Sequence, residues 1–258
     1  MASTVKKGDF IEFDFIGKTK AQNKIFDLTL ADVAKKEGIF DEKQKYVPMI
    51  VCLGHGQLLA GLDKFIEGKE IGKEYTVDIK AEEAFGARNP KLVKITNVSA
   101  FKDQKVPPMP GMQFSIDGSV ATIRSVNGGR VIIDFNHPLS GKELNYWVKI
   151  KRVVDKPEEK LDALTKLLFK ISDAKIEVSE KEVVMDFKAA DKFPAPLAEA
   201  YKKEIDNLIP ELKNKKLVIG KEKKEQPKEA KPEAKAAQAP KAKAKPDTQS
   251  GAKSAKVK

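Results

Sequence analysis

The sequence predicts an α+β protein: a β-domain interrupted by a small β-rich module, followed by an α/β domain and a charged tail. Three observations carry this reading. Ile11, Phe13 and Phe15, then Tyr75, Val77 and Ile79, then Leu144, Tyr146, Val148 and Ile150 each alternate with polar or otherwise outward-facing residues. A period of two marks a half-buried strand. Between the second and third of these runs, Asp117-Gly118 and Asn127-Gly128-Gly129 punctuate apolar stretches, which is the signal of hairpins. Beyond Lys156-Pro157, Leu161, Leu164, Leu167, Leu168 and Ile171 recur at helical spacing instead.

Taken in order, the first strand starts near residue 9, with Glu12 and Asp14 on its polar face. A helix is expected over Leu30–Glu37, closed by Gly38, and a shorter one after Gly61 with Leu62, Phe65 and Ile66 inward before Gly68. In the middle segment Met112, Phe114 and Ile116 lead to the first turn, Val120–Val126 to the second, and Arg130–Phe135 continues beyond it. The chain then returns through His137-Pro138-Leu139-Ser140-Gly141 to the third strand. In the C-terminal part, Ile176–Val178 and Val183–Phe187 suit a hairpin. Leu197, Tyr201, Ile205, Leu208 and Ile209 suit a helix ending near Pro210, and Leu217–Ile219 a last strand. The expected boundaries are 1–86 with 137–155, then 87–136, 156–220 and 221–258.

The chain has 258 residues with 41% hydrophobic and 34% charged, enough for packed cores. The longest apolar run, Val47–Leu53, is too short to cross a bilayer, and no membrane partner is expected. The opening Met1-Ala-Ser-Thr-Val-Lys-Lys has no apolar signal region, so a cytoplasmic location is expected. Cys52 is the only cysteine, and His55 and His137 the only histidines, which leaves no internal disulfide and little for a metal site. The net charge is +11, and residues 221–258 hold 12 lysines against 5 acidic residues with no aromatic side chain. Such a segment buries too little to offset its conformational entropy, so disorder is expected there. It either aids solubility or makes loose, salt-sensitive contacts with RNA, DNA or ribosomes.

No phosphate loop, zincin helix or G-x-S-x-G elbow is present. What stands out is a set of apolar residues around one acid: Phe15 before a glycine, Phe26-Asp27, the Gly54–Leu62 segment leading into the short helix, and Ala84-Phe85-Gly86. The segments Phe13-Asp-Phe-Ile-Gly17, Ile25-Phe-Asp27, Leu53-Gly-His-Gly-Gln-Leu-Leu-Ala-Gly-Leu-Asp63, Glu83-Ala-Phe-Gly86 and Asn136-His-Pro-Leu-Ser-Gly-Lys-Glu143 together resemble the FK506-binding protein (FKBP) family of peptidyl-prolyl isomerases. The likeness is greatest to long archaeal members and SlyD-type chaperones, and it spans about residues 5–155.

The resemblance implies an antiparallel sheet wrapped on a short helix, with 87–136 as an insert-in-the-flap chaperone domain. It implies a prolyl groove formed by Phe15, Phe26, Asp27, Leu58, Leu59, Leu62, Phe85 and Tyr146, with Met49 and Leu53 as secondary wall residues. Asp27, Phe85 and Tyr146 take the catalytic positions, and the Leu59 N–H would bind a substrate carbonyl. Phe15 and Phe85 stand where single-domain relatives usually carry tyrosine, and Leu62 where they carry tryptophan, so a hydrogen bond from the side chain at position 85 is impossible. The expected partners are unfolded or nascent chains with Xaa-Pro bonds. Val106, Met109, Met112 and Phe114 are read either as a client-binding patch or as the core of the insert. No cofactor is expected, and no metal, because the tail lacks the histidines of SlyD-type relatives. Residues 157–220 are expected to mediate self-association or to dock on the isomerase domain. The competing readings are a holdase with a weak isomerase site and a ribosome- or nucleic-acid-associated protein dominated by its tail.

Overall fold

The computed structural model describes residues 3–101, 107–116, 119–188 and 190–220. Val106, the Asp117-Gly118 turn and the 221–258 tail lie outside the described residues. In chain order the elements are β1 (Phe10–Thr19), β2 (Lys24–Leu28), α1 (Ala31–Lys36), β3 (Met49–Cys52), α2 (Ala60–Ile66) and β4 (Glu74–Ile79). Then come β5 (Val93–Asn97), β6 (Gln113–Ile116), β7 (Ser119–Asn127), β8 (Arg130–Asp134) and β9 (Leu144–Val153). The last are α3 (Pro157–Phe169), β10 (Lys175–Val178), β11 (Glu182–Asp186), α4 (Ala195–Leu208) and β12 (Lys216–Ile219). Among the described residues no helix is long and apolar enough to cross a membrane.

The first sheet is antiparallel throughout. β1 pairs with β9 along one side, while β3 and β2 share its other side, and β4 pairs with the outer side of β9. Phe15 lies opposite Val148, so the sheet closes on strands more than a hundred residues apart, and the four-stranded sheet of 93–134 is an excursion from it between β4 and β9. The alternation in β1 sends Ile11, Phe13 and Phe15 into one core with Leu62, Ile66, Val148 and Ile150. α2 crosses that face closely, because Gly61 has no Cβ: one there would sit 2.6 Å from Ile79 Cγ2. Burying Leu62 and Ile66 stabilises the contact by about 1.5–3 kcal/mol each.

The other face of β1 departs from expectation. It carries Phe10, Glu12 and Asp14, and the alternation predicts it solvated, yet Phe10 and Asp14 are buried. Phe10 joins Cys52, Val154, Leu161, Leu164, Met185, Tyr201 and Ile205 in a second core. The C-terminal segment covers this face: α3 lies against β3, and Arg152 bridges Glu12 and Glu159 at 2.6 Å each. Asp14 is tolerated inside because Lys151 pairs with it at 2.9 Å and the Thr29 hydroxyl donates to it at 2.8 Å. Leu161 and Leu164 are therefore spent in docking. The three-stranded sheet of this segment has β11 at its centre, antiparallel to β10 and parallel to β12 through the α4 crossover.

A third core belongs to the four-stranded antiparallel sheet β5-β8-β7-β6. Phe101, Ala121, Ile123, Val131 and Ile133 are buried in it, with Met112 and Phe114 packed against them. Those two candidates thus serve the core of the segment, whereas Met109 is 55% exposed. β3, a short apolar run (Met49–Cys52), and β5, a five-residue edge strand (Val93–Asn97), are elements that periodicity alone does not isolate.

Candidate active site

A cavity of about 340 Å³ opens on the first sheet, lined by Phe13, Phe15, Asp27, Met49, Gly56, Gln57, Leu58, Leu59, Leu62 and Tyr146. β1 supplies the two phenylalanines, the end of β2 Asp27, the start of β3 Met49, and β9 Tyr146. The 53–59 loop is held over the sheet by two donors to side chains: Cys52 N–H to Gln57 Oε1 at 2.8 Å and Gly54 N–H to the Asp63 carboxylate at 2.9 Å. Phe15 and Asp27 are held in register by Thr29, whose hydroxyl accepts the Phe15 N–H at 3.0 Å and whose own N–H donates to the Phe15 carbonyl at 3.1 Å.

The aromatic wall is continuous. Ring centroids lie 6.0 Å apart for Phe15–Tyr146, 5.9 Å for Tyr146–Phe26 and 6.4 Å for Phe26–Phe85, the last two edge-to-face. Both are favourable arrangements of aromatic quadrupoles. Phe26 and Phe85 thus extend the wall beyond the cavity's own lining. Gly17 permits the closeness: a Cβ there would lie 2.8 Å from the Phe26 ring and 3.1 Å from Tyr146. Leu53 stands apart from the expected set. It is 1% exposed within the core and does not line the cavity, because Gly54 turns the chain outward one residue later.

The electrostatics leave one acid and two donors facing the opening. Partial burial raises the Asp27 carboxyl above its ordinary pKa, partly offset by the Leu28 N–H. Burial, with the Asp27 charge added, raises the Tyr146 hydroxyl further still, so it remains a neutral donor. Among the described residues that hydroxyl has no hydrogen-bond partner, and no fully buried side-chain N or O is left unpaired; it therefore opens onto the groove. The Leu59 N–H has no protein acceptor among the described residues either, while its carbonyl caps the first turn of α2. No group of three or more His, Cys, Asp or Glu is placed to hold a metal among the described residues.

Sequence reasoning does not name Phe13 and Gln57 for the groove, and both line the cavity. His137, whose turn position after the inserted segment puts it at the border of the groove, stacks flat on Phe85 with centroids 4.4 Å apart. The Ser140 hydroxyl donates to the Phe85 carbonyl at 3.2 Å and Gly141 N–H to that of Gly86 at 2.8 Å. The only sequence hint was that His137 and Ser140 share one return loop.

Comparison with known proteins gives a family model described as the FKBP26 IF domain, matching residues 94–139. The chain is 33% identical over 153 residues to the short-type peptidyl-prolyl cis-trans isomerase of Methanocaldococcus jannaschii, covering 59% of this chain and 96% of that protein. It is 32% identical over 124 residues to the FKBP-type peptidyl-prolyl cis-trans isomerase SlyD of Haemophilus influenzae, covering 46% of this chain and 64% of that protein. Against the FKBP-type 16 kDa peptidyl-prolyl cis-trans isomerase of Escherichia coli the identity is 28% over 110 residues, with 41% and 74% covered.

Proposed function

The chain belongs to the FKBP-type peptidyl-prolyl cis-trans isomerase family, and from that membership we propose that its Xaa-Pro site is the groove between Phe15, Asp27, Leu59 and Tyr146. The observation that carries this placement is an apolar cavity holding one carboxylate and two donors without protein acceptors.

The reaction rotates a bond and breaks none. An Xaa-Pro amide resists rotation with a barrier of about 18–20 kcal/mol, because its C–N bond is conjugated. Twisting it removes the conjugation and lowers the charge separation between oxygen and nitrogen. Apolar walls at Phe15, Leu62 and Tyr146 therefore favour the twisted amide over the planar one, which is differential binding of the transition state. The Leu59 N–H and Tyr146 hydroxyl anchor carbonyls beside the prolyl ring, and Asp27 orients the rotating carbonyl through its field. Phe85, held against His137, closes the outer wall without a hydroxyl of its own.

A chaperone role for the β5–β8 segment completes the reading. Leu92, Ile95, Met109, Ile116 and Val120 are half of the large exposed hydrophobic residues among those described. Scattered singly such residues mean little, but Ile95, Ile116 and Val120 lie on strands of one small sheet, with Leu92 and Met109 in the segments leading into it, and together they suit capture of unfolded or nascent chains. The absence of hydroxyls at Phe15 and Phe85 favours a second reading, a holdase with a slow site, and one assay separates the two. Isomerisation of an Ala-Leu-Pro-Phe-type peptide should be catalysed by the full chain. It should fall about ten-fold in Asp27→Ala and in Phe85→Ala, equivalent to about 1.4 kcal/mol of transition-state stabilisation, with circular dichroism unchanged. A well-folded Phe85→Ala protein of unaltered rate would remove Phe85 from the site.

A further inference from the structure

Resting on the isomerase reading, we propose that α3 and the 44–48 loop form a subsite for the substrate chain beside its proline, selecting segments with an apolar residue and an acidic one. A second cavity of about 310 Å³ adjoins the groove and shares Phe15, Asp27 and Met49 with it. The two cavities meet at these three residues, so a polypeptide that leaves the prolyl groove there has the second cavity beside it. One side of it is the loop that bears Lys45, Val47 and Pro48; the other is α3, with Ala163, Leu167 and the helix-end Lys170.

The chemistry of the walls names the occupant. Val47, 58% exposed, and Leu167 both line the cavity, which gives a place for one aliphatic side chain. Lys166 is neutralised by Asp162, four residues earlier on α3. Lys45 and Lys170 stand on opposite walls, and neither has an acidic partner among the described residues. Two unneutralised ammonium groups over an apolar floor suit a carboxylate-bearing segment. Asp27 sits on the shared wall, so it repels a carboxylate directly next to the proline and displaces the acidic residue outward. The subsite is an assembly of two distant segments, because α3 reaches it only by docking on β3.

The test uses the full chain and nuclear magnetic resonance exchange, which needs no coupled protease. The probes are the short Ala-Leu-Pro-Phe peptide and versions extended by four residues on either side, about 13 Å at roughly 3.3 Å per residue. The outer positions carry Glu, Gln or Lys. The expected result is a kcat/KM about two- to five-fold higher for Glu than for Lys on one flank, the range of exposed ion pairs. The preference should fade in 1 M salt, flatten in the Lys45→Gln/Lys170→Gln protein and reverse in the Lys45→Glu/Lys170→Glu protein. Equal kcat/KM for Glu, Gln and Lys on both flanks, with the short peptide still turned over, would overturn the subsite and leave the groove standing. A preference that survives both double variants would overturn it as well. Failure to turn over even the short peptide would strike the isomerase groove itself, and the subsite with it.

Discussion

Gly17 governs how tightly the aromatic wall closes. Its backbone is not in a left-handed conformation; what it contributes is the missing Cβ that lets Phe26 and Tyr146 approach it. Adding one methyl group must push the Phe26 ring by several tenths of an ångström, and Phe26 is in contact with both Tyr146 and Phe85. Gly17→Ala is therefore expected to cost about 1–3 kcal/mol, the range for overpacking a filled site, and to slow peptide isomerisation more than Ala substitutions on the solvent face. Urea denaturation and the peptide assay on the same preparation check both parts. Unchanged stability and rate would show that the wall has room to relax. The glycine was legible in the sequence as part of a motif, but its reason was not, since Phe26 and Tyr146 meet it from two other strands.

At the scale of elements, the ends of the inserted segment are tied together beside the groove. Asp134, at the end of β8, is buried and takes Arg88 and Arg124 at 2.7 Å each. The Asn136 N–H and side-chain amide donate to its other oxygen at 2.9 and 2.7 Å. Asn136 in turn exchanges hydrogen bonds with the Asn89 backbone at 2.8 and 2.9 Å. Burial alone would raise the Asp134 pKa, but the Asn136 donors, Arg124 and the Arg88 charge outweigh it and hold the carboxyl at about 2. A folded-state pKa below the unfolded value of about 3.9 gives stability that is present above pH 4 and lost as pH falls toward 2. The size is about 2 kcal/mol. Unfolding of the full chain followed by a probe within 93–134 should thus show an acid limb between pH 4 and 2 that Asp134→Asn removes. An identical limb in the variant would place the acid sensitivity elsewhere. Nothing in the spacing of Arg88, Arg124 and Asp134 announces this clamp, because only the β7–β8 hairpin and the chain crossing bring them to one point.

For the whole molecule, the proposed division of labour separates a small-peptide activity from a whole-protein one. A tetrapeptide needs only the groove, whereas an unfolded chain gains local concentration from capture on the exposed apolar residues of the β5–β8 sheet. Replacing residues 88–135 with a short turn is expected to spare most tetrapeptide isomerisation while sharply reducing catalysis of a proline-limited refolding reaction. Equal losses on both substrates would refute the split. Docking of the C-terminal segment bears on how such proteins are designed. Phe10, Cys52 and Val154 are buried against Leu161, Leu164 and Tyr201, so a chain cut at residue 155 would bare them, and comparisons are best made with residues 1–220 retained.

The sequence by itself determined the parts whose causes are local. Period-two alternation places Ile11, Phe13 and Phe15 on one face of β1, apolar spacing marks the Leu62–Ile66 part of α2 ahead of Gly68, and Asn127-Gly128-Gly129 turns β7 into β8. The family resemblance also named Phe15, Asp27, Leu58, Leu59, Leu62 and Tyr146, which line one cavity. Tertiary structure decided what covers each surface. Alternation says that Asp14 faces away from Phe15, but not that α3 and its neighbours lie over that face and require Lys151 and Thr29 as its partners. The family resemblance places Leu53 near the groove without saying on which side of the loop, and only the return loop stacks His137 on Phe85. Lys45 and Lys170 share a cavity for the same reason: a side chain's direction follows from its own few neighbours, while its surroundings follow from segments a hundred residues away finding their lowest free energy together.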